Sequence, residues 1–349
     1  MKRILSLALA IVALVALQAQ GEGKRYQVAG VAFYNLENLF DTIPNNPLGR
    51  DLEYTPTGAK QWTGKRYWNK IHNLAYVINN MKTDMTPLGP AIIGVAEVEN
   101  ISVLADLVRD EQIKNLNLQI IHHDSPDRRG IDVGFLFNPR LFRPLSVTHH
   151  TLHVAENPDL RTRDQTCVSG LLMGEHVSVI VGHWPSRLGG QSASSYLREA
   201  AASLAKSIAD SVLALNPKEK IIILGDLNDD PMDKSCAEVI GAKRKVDDVK
   251  EGGWYNPFWD VLANGVGTLA YKGQWNLFDQ IMVNYNLVGK DRSSFKYFKC
   301  KVLNDIPGMR TEEGDRQGYP LRTYSAGMYL NGFSDHFPTQ IFLTREIKQ

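Results

Sequence analysis

Short runs of apolar and β-branched residues recur along the whole chain, and their spacing limits the possible fold more than any other feature. The runs have strand length and lie at residues 28–33, 91–96, 118–121, 131–137, 168–173, 177–181, 221–224, 280–283 and 339–343. Within residues 118–154 and 168–182 strands follow one another with no helix between them, so antiparallel pairing must be extensive. The pattern predicts an α+β fold in which two mainly antiparallel, mixed β-sheets pack face to face with helices outside.

Helical patterns lie between some of these runs. Ile71, Leu74 and Ile78 share one helical face, and a longer apolar stripe extends over residues 197–212. Ser102 is predicted to cap a third helix that reaches toward Lys114. The stretches at residues 41–64 and 306–331 are too long for plain connections, and loops of that size are usually functional or disordered.

The N-terminus has the pattern of a targeting segment. Lys2 and Arg3 precede an apolar run at residues 4–17 that is too short to span a bilayer, and small and polar residues follow it. We predict a signal peptide at residues 1–21, one domain at residues 26–345, and an exported protein that is periplasmic or extracellular after cleavage. No later stretch is apolar enough to cross a membrane.

Charge and motif content narrow the classes of function. The net charge of +1 shows no general preference for polyanions, and a hydrolase needs only transient contact with nucleic acid. The three cysteines permit at most one disulfide and fit no metal motif. Phosphate-binding and dinucleotide-binding glycine loops and a serine-hydrolase elbow are absent, so nucleotide-triphosphatase and cofactor-driven redox functions have no support.

Acidic and amide side chains stand where several of the predicted strands end. Asp226 and Asn228 follow residues 221–224 and project the same way, so together they can take a proton from water and orient that water. The alternative is a turn that uses these residue types for capping. Glu97 ends another run and is the leading metal ligand, because Mg²⁺ prefers carboxylate oxygens and a buried unpaired carboxylate is costly. For Glu99 a role at a helix start is the simpler interpretation.

Further polar residues follow or precede other runs. Asn35 and Glu37 share a face after residues 28–33, although each alone would be read as a loop residue. Asp279 could accept a hydrogen bond from the ring of His336 and fix its tautomer, which would leave Asp335 for the metal.

Basic side chains complete the set. His183 offers a second imidazole, but a lone histidine after a strand is more often structural. Arg163, Arg187 and Arg198 have guanidinium groups that suit phosphate, although each alone is more often a structural ion-pair residue. One or two hard metal ions with these groups suit in-line attack of water on phosphorus.

Six short motifs contain these residues, and their order resembles that of the endonuclease/exonuclease/phosphatase superfamily over about residues 26–345. They are N-L-E-N at 35–38, A-E-V-E at 96–99, G-H-W-P-S at 182–186, G-D-L-N at 225–228, F-D-Q at 278–280 and F-S-D-H-F-P at 333–338. The superfamily includes DNase I-like nucleases, abasic-site endonucleases, sphingomyelinases and inositol polyphosphate 5-phosphatases. R-G-I-D-V at 129–133 and H-W-P-S-R at 183–187 are most similar to secreted bacterial nuclease-like members.

The resemblance implies a four-layer α/β sandwich and Mg²⁺ as cofactor, with Mn²⁺ as a possible substitute. It also implies roles for individual residues. The metal ligands would be Glu97, Asn35, Glu37 and Asp335; the catalytic residues would be His183, Asp226, Asn228, Asp279 and His336; Arg163, Arg187 and Arg198 remain candidates for substrate binding.

Three hypotheses of function follow. The first is an exported Mg²⁺-dependent endonuclease or phosphodiesterase that contacts nucleic acid transiently; Arg128 and Arg129 favour it, and the motifs support it but do not separate it from the second. The second is a phosphodiesterase or phosphatase acting on lipid head groups, inositol phosphates or small phosphoesters, which the near-neutral charge favours. The third is an inactive binding module, which the presence of all the motif acids opposes. We expect a monomer without stable membrane insertion and without a protein partner.

Overall fold

Two β-sheets dominate the computed structural model, which describes residues 17–18, 24–46 and 49–347. In chain order the strands are β1 (Leu17–Gln18), β2 (Arg25–Leu39), β3 (Ile92–Val98), β4 (Gln119–His122), β5 (Asp132–Phe137), β6 (Phe142–His150), β7 (Gln165–Leu172), β8 (Glu175–His183), β9 (Lys220–Asp226), β10 (Ala242–Lys243), β11 (Trp254–Tyr255), β12 (Leu269–Tyr271), β13 (Gln274–Asn276), β14 (Asp279–Asn284), β15 (Lys296–Val302), β16 (Tyr324–Ser325), β17 (Met328–Tyr329) and β18 (Thr339–Ile347). The α-helices are α1 (Gly64–Asn79), α2 (Ile101–Arg109), α3 (Gln191–Leu215) and α4 (Phe258–Ala263). Single turns of 3₁₀ helix lie at Leu52–Tyr54, Lys114–Leu116, Val246–Asp248, Tyr285–Leu287 and Gly314–Arg316, and a π-helical turn lies at Ser235–Val239.

Each large sheet is mixed. The first has the order β15-β18-β2-β3-β5-β4, with β1 also paired to β2, and the second has the order β10-β11-β14-β9-β8-β7-β6. Most neighbours are antiparallel, but β2 and β3 run parallel at the centre of the first sheet, and β8–β9 and the short pair β10–β11 run parallel in the second. The prediction of two mainly antiparallel, mixed sheets is confirmed.

The two sheets face each other across a shared apolar core. The sheets approach closely at Gly94 in β3, because a Cβ built on it would lie 2.3 Å from Leu224 Cδ1 and 3.3 Å from Val181 Cγ1 of the other sheet. Val31, Phe33, Val179 and other buried apolar side chains fill the remainder of this layer. Glycine at position 94 therefore allows the two central strand pairs to stack closely.

Helices cover the outer faces of both sheets. The long helix α3 presents Ala201, Ala202 and Ala205 to Ile180 and Ile223 on the second sheet, and these small side chains permit close packing. On the first sheet, α2 packs so closely that a Cβ at Gly134 of β5 would lie 2.8 Å from Leu104 Cδ1. The arrangement is the four-layer sandwich expected from the sequence.

Helix α2 differs from the prediction at both ends. Asn100, not Ser102, is its N-cap, and the Asn100 side chain accepts hydrogen bonds from the amides of Ser102 and Val103. The helix ends at Arg109, before the predicted extension toward Lys114. The patterns over residues 71–78 and 197–212 do lie within helices, namely α1 and α3.

The two long connections pack against each other beside the C-terminal end of β2. The Tyr324 hydroxyl donates to the Lys60 carbonyl at 2.8 Å, and the Tyr324 and Trp62 rings lie 6.0 Å apart. Trp62 Nε1 in turn donates to the Phe40 carbonyl at 2.9 Å. The described parts of the two segments therefore pack against each other around Trp62 and Tyr324.

The predicted signal peptide lies outside the described residues, apart from Leu17 and Gln18, which pair with the start of β2. Among the described helices, none has both the length and the apolar character needed to cross a membrane.

Candidate active site

The sheet topology brings the predicted polar residues together at the same end of the strands in both sheets. Parallel pairing places the ends of β2 and β3 together, where Asn35 is opposite Ala96, and it places His183 at the end of β8 opposite Asp226 at the end of β9. Asp279 begins β14, which runs antiparallel to β9 and pairs it with Asp226. The Asn35 amide donates to Asp226 Oδ2 at 3.0 Å and so joins the two sheets.

A buried acid–imidazole–acid arrangement lies at the centre of this end of the strands. His336 Nδ1 and Asp279 Oδ2 are 2.7 Å apart, and His336 Nε2 is 3.9 Å from Asp226 Oδ2. Burial alone would lower the pKa of His336, but the Asp279 and Asp226 carboxylates outweigh it and hold that pKa well above its usual range. The imidazole is therefore a cation at neutral pH and a strong donor.

Asp226 is held ready to exchange a proton. Burial raises its pKa to about 6, and Asp279 and Glu97 add to the rise while His336 opposes it. Its Oδ1 accepts the amide of Asn228 at 3.1 Å. A carboxyl group with a pKa near neutrality can act as a general base or acid at physiological pH.

His183 is the second imidazole, and its ring is neutral whereas that of His336 is a cation. Its Nε2 is 3.5 Å from Asp226 Oδ2, and within the described residues its buried Nδ1 has no hydrogen-bond partner. Burial lowers the pKa of His183 well below its usual range, and Arg163 and Arg129 lower it further. A neutral ring here can donate one hydrogen bond without adding a second positive charge.

Glu97 presents its carboxylate next to this centre. The backbone N–H of Asn38 donates to Glu97 Oε2 at 2.9 Å, and the Arg129 guanidinium contacts both oxygens at 3.3 and 3.1 Å. The Arg129 side chain is 48% exposed, so it can leave or share the carboxylate with an incoming group. Asn35 also turns Oδ1 toward this end of the strands, where it accepts the amide of Glu37 at 2.9 Å.

Glu37 and Asp335, two of the four predicted metal ligands, belong to an ion-pair network in this structure. Glu37 accepts from Lys70 Nζ at 3.4 Å, from Arg322 Nε at 3.2 Å and from the amide of Thr323 at 2.7 Å. Arg322 Nη2 also donates to Asp335 Oδ2 at 2.8 Å. Both Glu37 oxygens are thus occupied, and the network fastens the 306–331 segment to the site.

Two of the three predicted substrate-binding arginines lie beneath the site and support its frame. Arg198 is fully buried and donates to Asp229 Oδ1 at 2.6 Å. Arg163 donates to the carbonyls of His183 at 3.1 Å and Trp184 at 2.7 Å, which fixes the end of β8. Neither side chain has a free donor face turned to solvent, so we assign both a structural role in place of the predicted one.

Arg187 is partly exposed but is also engaged. It donates to the Asn228 carbonyl at 2.9 Å and to Asp233 at 2.7 Å, and its guanidinium stacks 4.4 Å from the centre of the Phe278 ring. Asn228 itself directs its side-chain amide to the Trp184 carbonyl at 3.0 Å. Arg187 and Asn228 therefore shape the loop after β9.

Sequence reasoning missed Lys70 and Arg322, which form the network around Glu37. A signal for Lys70 was present, because it lies among Tyr67, Ile71 and Leu74 on the buried face of α1, where a lysine requires an anionic partner. Arg322 lies in an irregular segment with no periodic pattern, so the sequence gave no comparable signal.

The donor set fits a divalent metal ion. Atoms of Asp226, Asp279 and His336 lie within 4.8 Å of one another. His336 as a cation has no lone pair free for a metal, so the oxygen atoms at this end of the strands are the candidate ligands. The buried Oδ1 of Asp279 has no hydrogen-bond partner among the described residues, and Glu97 adds a further carboxylate at the same end. Oxygen-rich sets of this kind suit hard cations.

A sequence profile described as the endonuclease/exonuclease/phosphatase family matches residues 30–345, and the chain belongs to that family. The family consists of divalent-metal-dependent phosphoester hydrolases, and the chain is an enzyme of that class. A search of curated protein sequences found no match.

Solved structures share the fold at low sequence identity. A Bacteroides thetaiotaomicron protein of the same family is 16% identical, with a TM-score of 0.54 over 93% of this chain and 98% of that one. A mannosyl-6-phosphatase from the same organism is 16% identical, with a TM-score of 0.52 over 90% and 99%. Truncated Caenorhabditis elegans TDP2 is 16% identical, with a TM-score of 0.51 over 90% and 97%.

Proposed function

We propose that this protein is an exported, Mg²⁺-dependent hydrolase of small phosphoesters, with nucleic acid as the second candidate substrate. The observation that carries the hydrolytic part is the position of Asp226. Its carboxyl group contacts Asn35 at 3.0 Å and lies 3.5 and 3.9 Å from the rings of His183 and His336. Asp226, which can exchange a proton, is therefore surrounded by one neutral and one cationic imidazole and by the Asn35 amide.

Each of these groups has a distinct role in the proposal. Asp226 takes a proton from the attacking water, since its pKa of about 6 leaves it ionised at neutral pH. The His336 cation, oriented by Asp279, donates to a phosphoryl oxygen as negative charge develops. Neutral His183 donates a further hydrogen bond, and Asn35 fixes the orientation of Asp226.

We propose Mg²⁺ as the metal, with Mn²⁺ as a substitute. Glu97 and Asn35 would hold it, since they offer hard oxygen donors at the ends of β2 and β3. When bound, the ion polarises the phosphoryl group and neutralises charge on its oxygens. Asp335 lies next to His336, and its pairing with Arg322 leaves it as an outer contact.

The pocket beside the metal centre supports a small substrate. A cavity of about 230 Å³ adjoins Glu37 and Asn38 and is walled by the two long segments. Its lining combines aromatic rings with basic groups: Tyr54, Trp62, Tyr324, Lys60, Arg316 and Arg322. A pocket of this size and charge suits a sugar-sized or nucleotide-sized group with anionic or hydroxyl substituents. The fold neighbour that is a mannosyl-6-phosphatase supports the same substrate class.

Nucleic acid remains the second candidate because exposed basic groups lie beside Glu97. Arg129 is 48% exposed, and Arg128 lies beside it in the same loop. The fold neighbour TDP2 is compatible with this alternative. Backbone phosphates would contact these basic groups.

Export of the protein rests on sequence alone, namely on Lys2, Arg3 and the apolar run after them. The free cysteines are compatible with a fold that needs no disulfide, since Cys167, Cys236 and Cys300 are all unpaired. We propose that the exported protein acts as a monomer.

A substrate panel with and without EDTA tests the proposal. The panel contains a sugar 6-phosphate, inositol phosphates, sphingomyelin, bis-p-nitrophenyl phosphate, plasmid DNA and RNA. We expect Mg²⁺-dependent turnover of a small phosphoester, lost with EDTA and in D226N. Nicking of plasmid DNA as the main activity would support the second candidate, and no turnover on any substrate would contradict the proposal.

Paired lysine variants test the pocket separately. Lys60 Nζ lies 5.1 Å from the Tyr324 ring centre within the pocket, whereas Lys65 is an exposed residue of α1. We expect K60M to raise KM for the small phosphoester several-fold with little change in kcat, and K65M to behave as wild type. Equal effects of the two variants would exclude the pocket as the binding site.

A further inference from the structure

A second cluster of metal-ligating residues lies at the far edge of the first sheet, on the hairpin formed by β4 and β5. His122 is the last residue of β4 and Asp132 is the first residue of β5. The loop at residues 123–131 connects them and carries Asp124. The antiparallel register, with His122 opposite Gly134, brings the two strand ends close together. None of these residues belongs to the site described above.

The distances within this cluster match those between ligands of one ion. His122 Nε2 is 3.5 Å from Asp132 Oδ2, and these are the two atoms that one ion would bridge. Asp124 Oδ1 lies 3.7 Å from the other ring nitrogen of His122, Nδ1. One ligand atom from each of the three residues lies within 4.8 Å of the others. Two ligands each about 2.1 Å from a tetrahedral metal are themselves separated by roughly 3.4 Å, so the His122–Asp132 spacing is that of a ligand pair.

An unsatisfied nitrogen points independently to a ligand. The His122 side chain is 3% exposed, and its Nε2 has no hydrogen-bond partner among the described residues. Leaving a buried polar atom without a partner is costly, because it has lost its water and gained nothing in exchange. A cation bound between Nε2 and the Asp132 carboxylate would supply the missing partner.

The Asp132 carboxylate is already oriented for this role. The amide of Ser125 donates to Asp132 Oδ1 at 2.9 Å, and the Ser125 hydroxyl donates to the same oxygen. Oδ2 is thereby turned toward His122. Hydrogen bonds to the second oxygen of a ligating carboxylate are the usual support of a metal site.

The surroundings are rich in further nitrogen and oxygen donors. The rings of His123 and His149 stack 4.0 Å apart, and His123 Nε2 is 3.5 Å from the buried Asp164. The chain contains nine histidines, and four of them, His122, His123, His149 and His150, lie on β4, the residue after it and β6. Such a concentration of imidazoles favours a transition metal over Mg²⁺ or Ca²⁺.

We propose that His122, Asp124 and Asp132 form a binding site for a divalent transition-metal ion, with Zn²⁺ as the fitting ion and water in the fourth position. Zn²⁺ accepts both imidazole nitrogen and carboxylate oxygen as ligands. The ion connects His122 and Asp132, which flank the 123–131 loop, with Asp124 near the start of that loop. That loop carries Arg129, which contacts Glu97, so occupancy of the site makes one wall of the active site more rigid.

Metal stoichiometry tests the proposal directly. Tag-free protein is dialysed against buffered Zn²⁺, and bound metal is counted by plasma mass spectrometry and titrated calorimetrically. The measurement is repeated with the E97Q/D226N background, so that Zn²⁺ held at the active site is subtracted. We expect one ion per chain in that background, lost in H122Q and bound at least about tenfold more weakly in D124N.

The variants include internal controls. The Asp124 side chain is 86% exposed, so D124N is expected to fold even where H122Q does not. His72 is an exposed histidine paired with Asp110, and H72Q should bind Zn²⁺ as the background does. A rise in melting temperature with Zn²⁺ should be smaller in D124N than in H72Q. Unchanged stoichiometry and affinity in both H122Q and D124N would overturn the proposal, and hydrolytic activity does not enter this readout.

Discussion

Replacement of Asp279 by asparagine tests how the site holds His336 as a cation. Asp279 is fully buried, and its Oδ2 lies 2.7 Å from His336 Nδ1. A hydrogen bond to a charged group contributes roughly 1.5–3 kcal/mol. If the donor strength of the imidazolium is expressed mainly in the transition state, its loss lowers kcat about 10- to 150-fold, because each factor of ten corresponds to about 1.36 kcal/mol.

The pH dependence of D279N gives a second, independent readout. Burial lowers the pKa of His336, and the Asp279 carboxylate is the largest of the effects that raise it. Without that carboxylate the pKa of His336 must fall, so the protonated form is lost at a lower pH. The alkaline limb of the kcat profile should therefore begin at lower pH in D279N than in wild type.

Hydrolysis of bis-p-nitrophenyl phosphate with saturating Mg²⁺ measures both effects. D110N is the matched control, since Asp110 pairs with the exposed His72 at 3.2 Å and is remote from the site. We expect D110N to keep the wild-type rate and profile. A D279N enzyme with kcat within about twofold of wild type and an unshifted alkaline limb would refute the assigned role of His336.

Three further predictions concern stability and metal dependence. K70A leaves buried Glu37 with only Arg322 as a charged partner, and it should lower the free energy of unfolding by about 3 kcal/mol in urea titrations. G94A forces a Cβ against Leu224 and should cost about 1–3 kcal/mol in the same assay, whereas G174A, with no atom near its Cβ, isolates the cost of a positive φ alone. Removal of divalent ions with EDTA should abolish turnover, and added Mg²⁺ or Mn²⁺ should restore it; activity that persists in EDTA would exclude the metal proposal.

The sequence predicted the sheets because buried strands leave a strong apolar pattern. Strand β15 has no such pattern: it alternates lysines with Tyr297, Cys300 and other partly exposed residues, as an edge strand does. No apolar run was assigned there for that reason. The helix cap at Asn100 was misplaced by two residues because Ser102 is an equally good capping type, and side-chain chemistry alone does not distinguish them.

The sequence predicted those site residues that stand at the ends of predicted strands. Asp279 begins β14, which pairs with β9, and His336 precedes β18, which pairs with β2. Their positions at strand ends and the usual pairing of a carboxylate with an imidazole already suggested their contact. Arginines gave no such information. Arg198 and Arg129 are chemically equivalent in the sequence, yet one is fully buried against Asp229 and the other faces solvent beside Glu97. The direction of a guanidinium depends on packing from distant elements.

The backbone conformation at the site could not be predicted from the alternation of side chains along a strand. Glu37, Asn38, Glu97 and Asn228 all have φ between 49° and 62°, the left-handed region that residues with a Cβ rarely adopt. Residues in that region each cost of order 1 kcal/mol and persist only where surrounding contacts fix them. Here the contacts are visible: the Asn38 amide binds Glu97, and the Asn228 amide binds Asp226. The kinks at the strand ends therefore turn the backbone N–H groups toward the two acids, which orients both carboxylates before any metal or substrate binds.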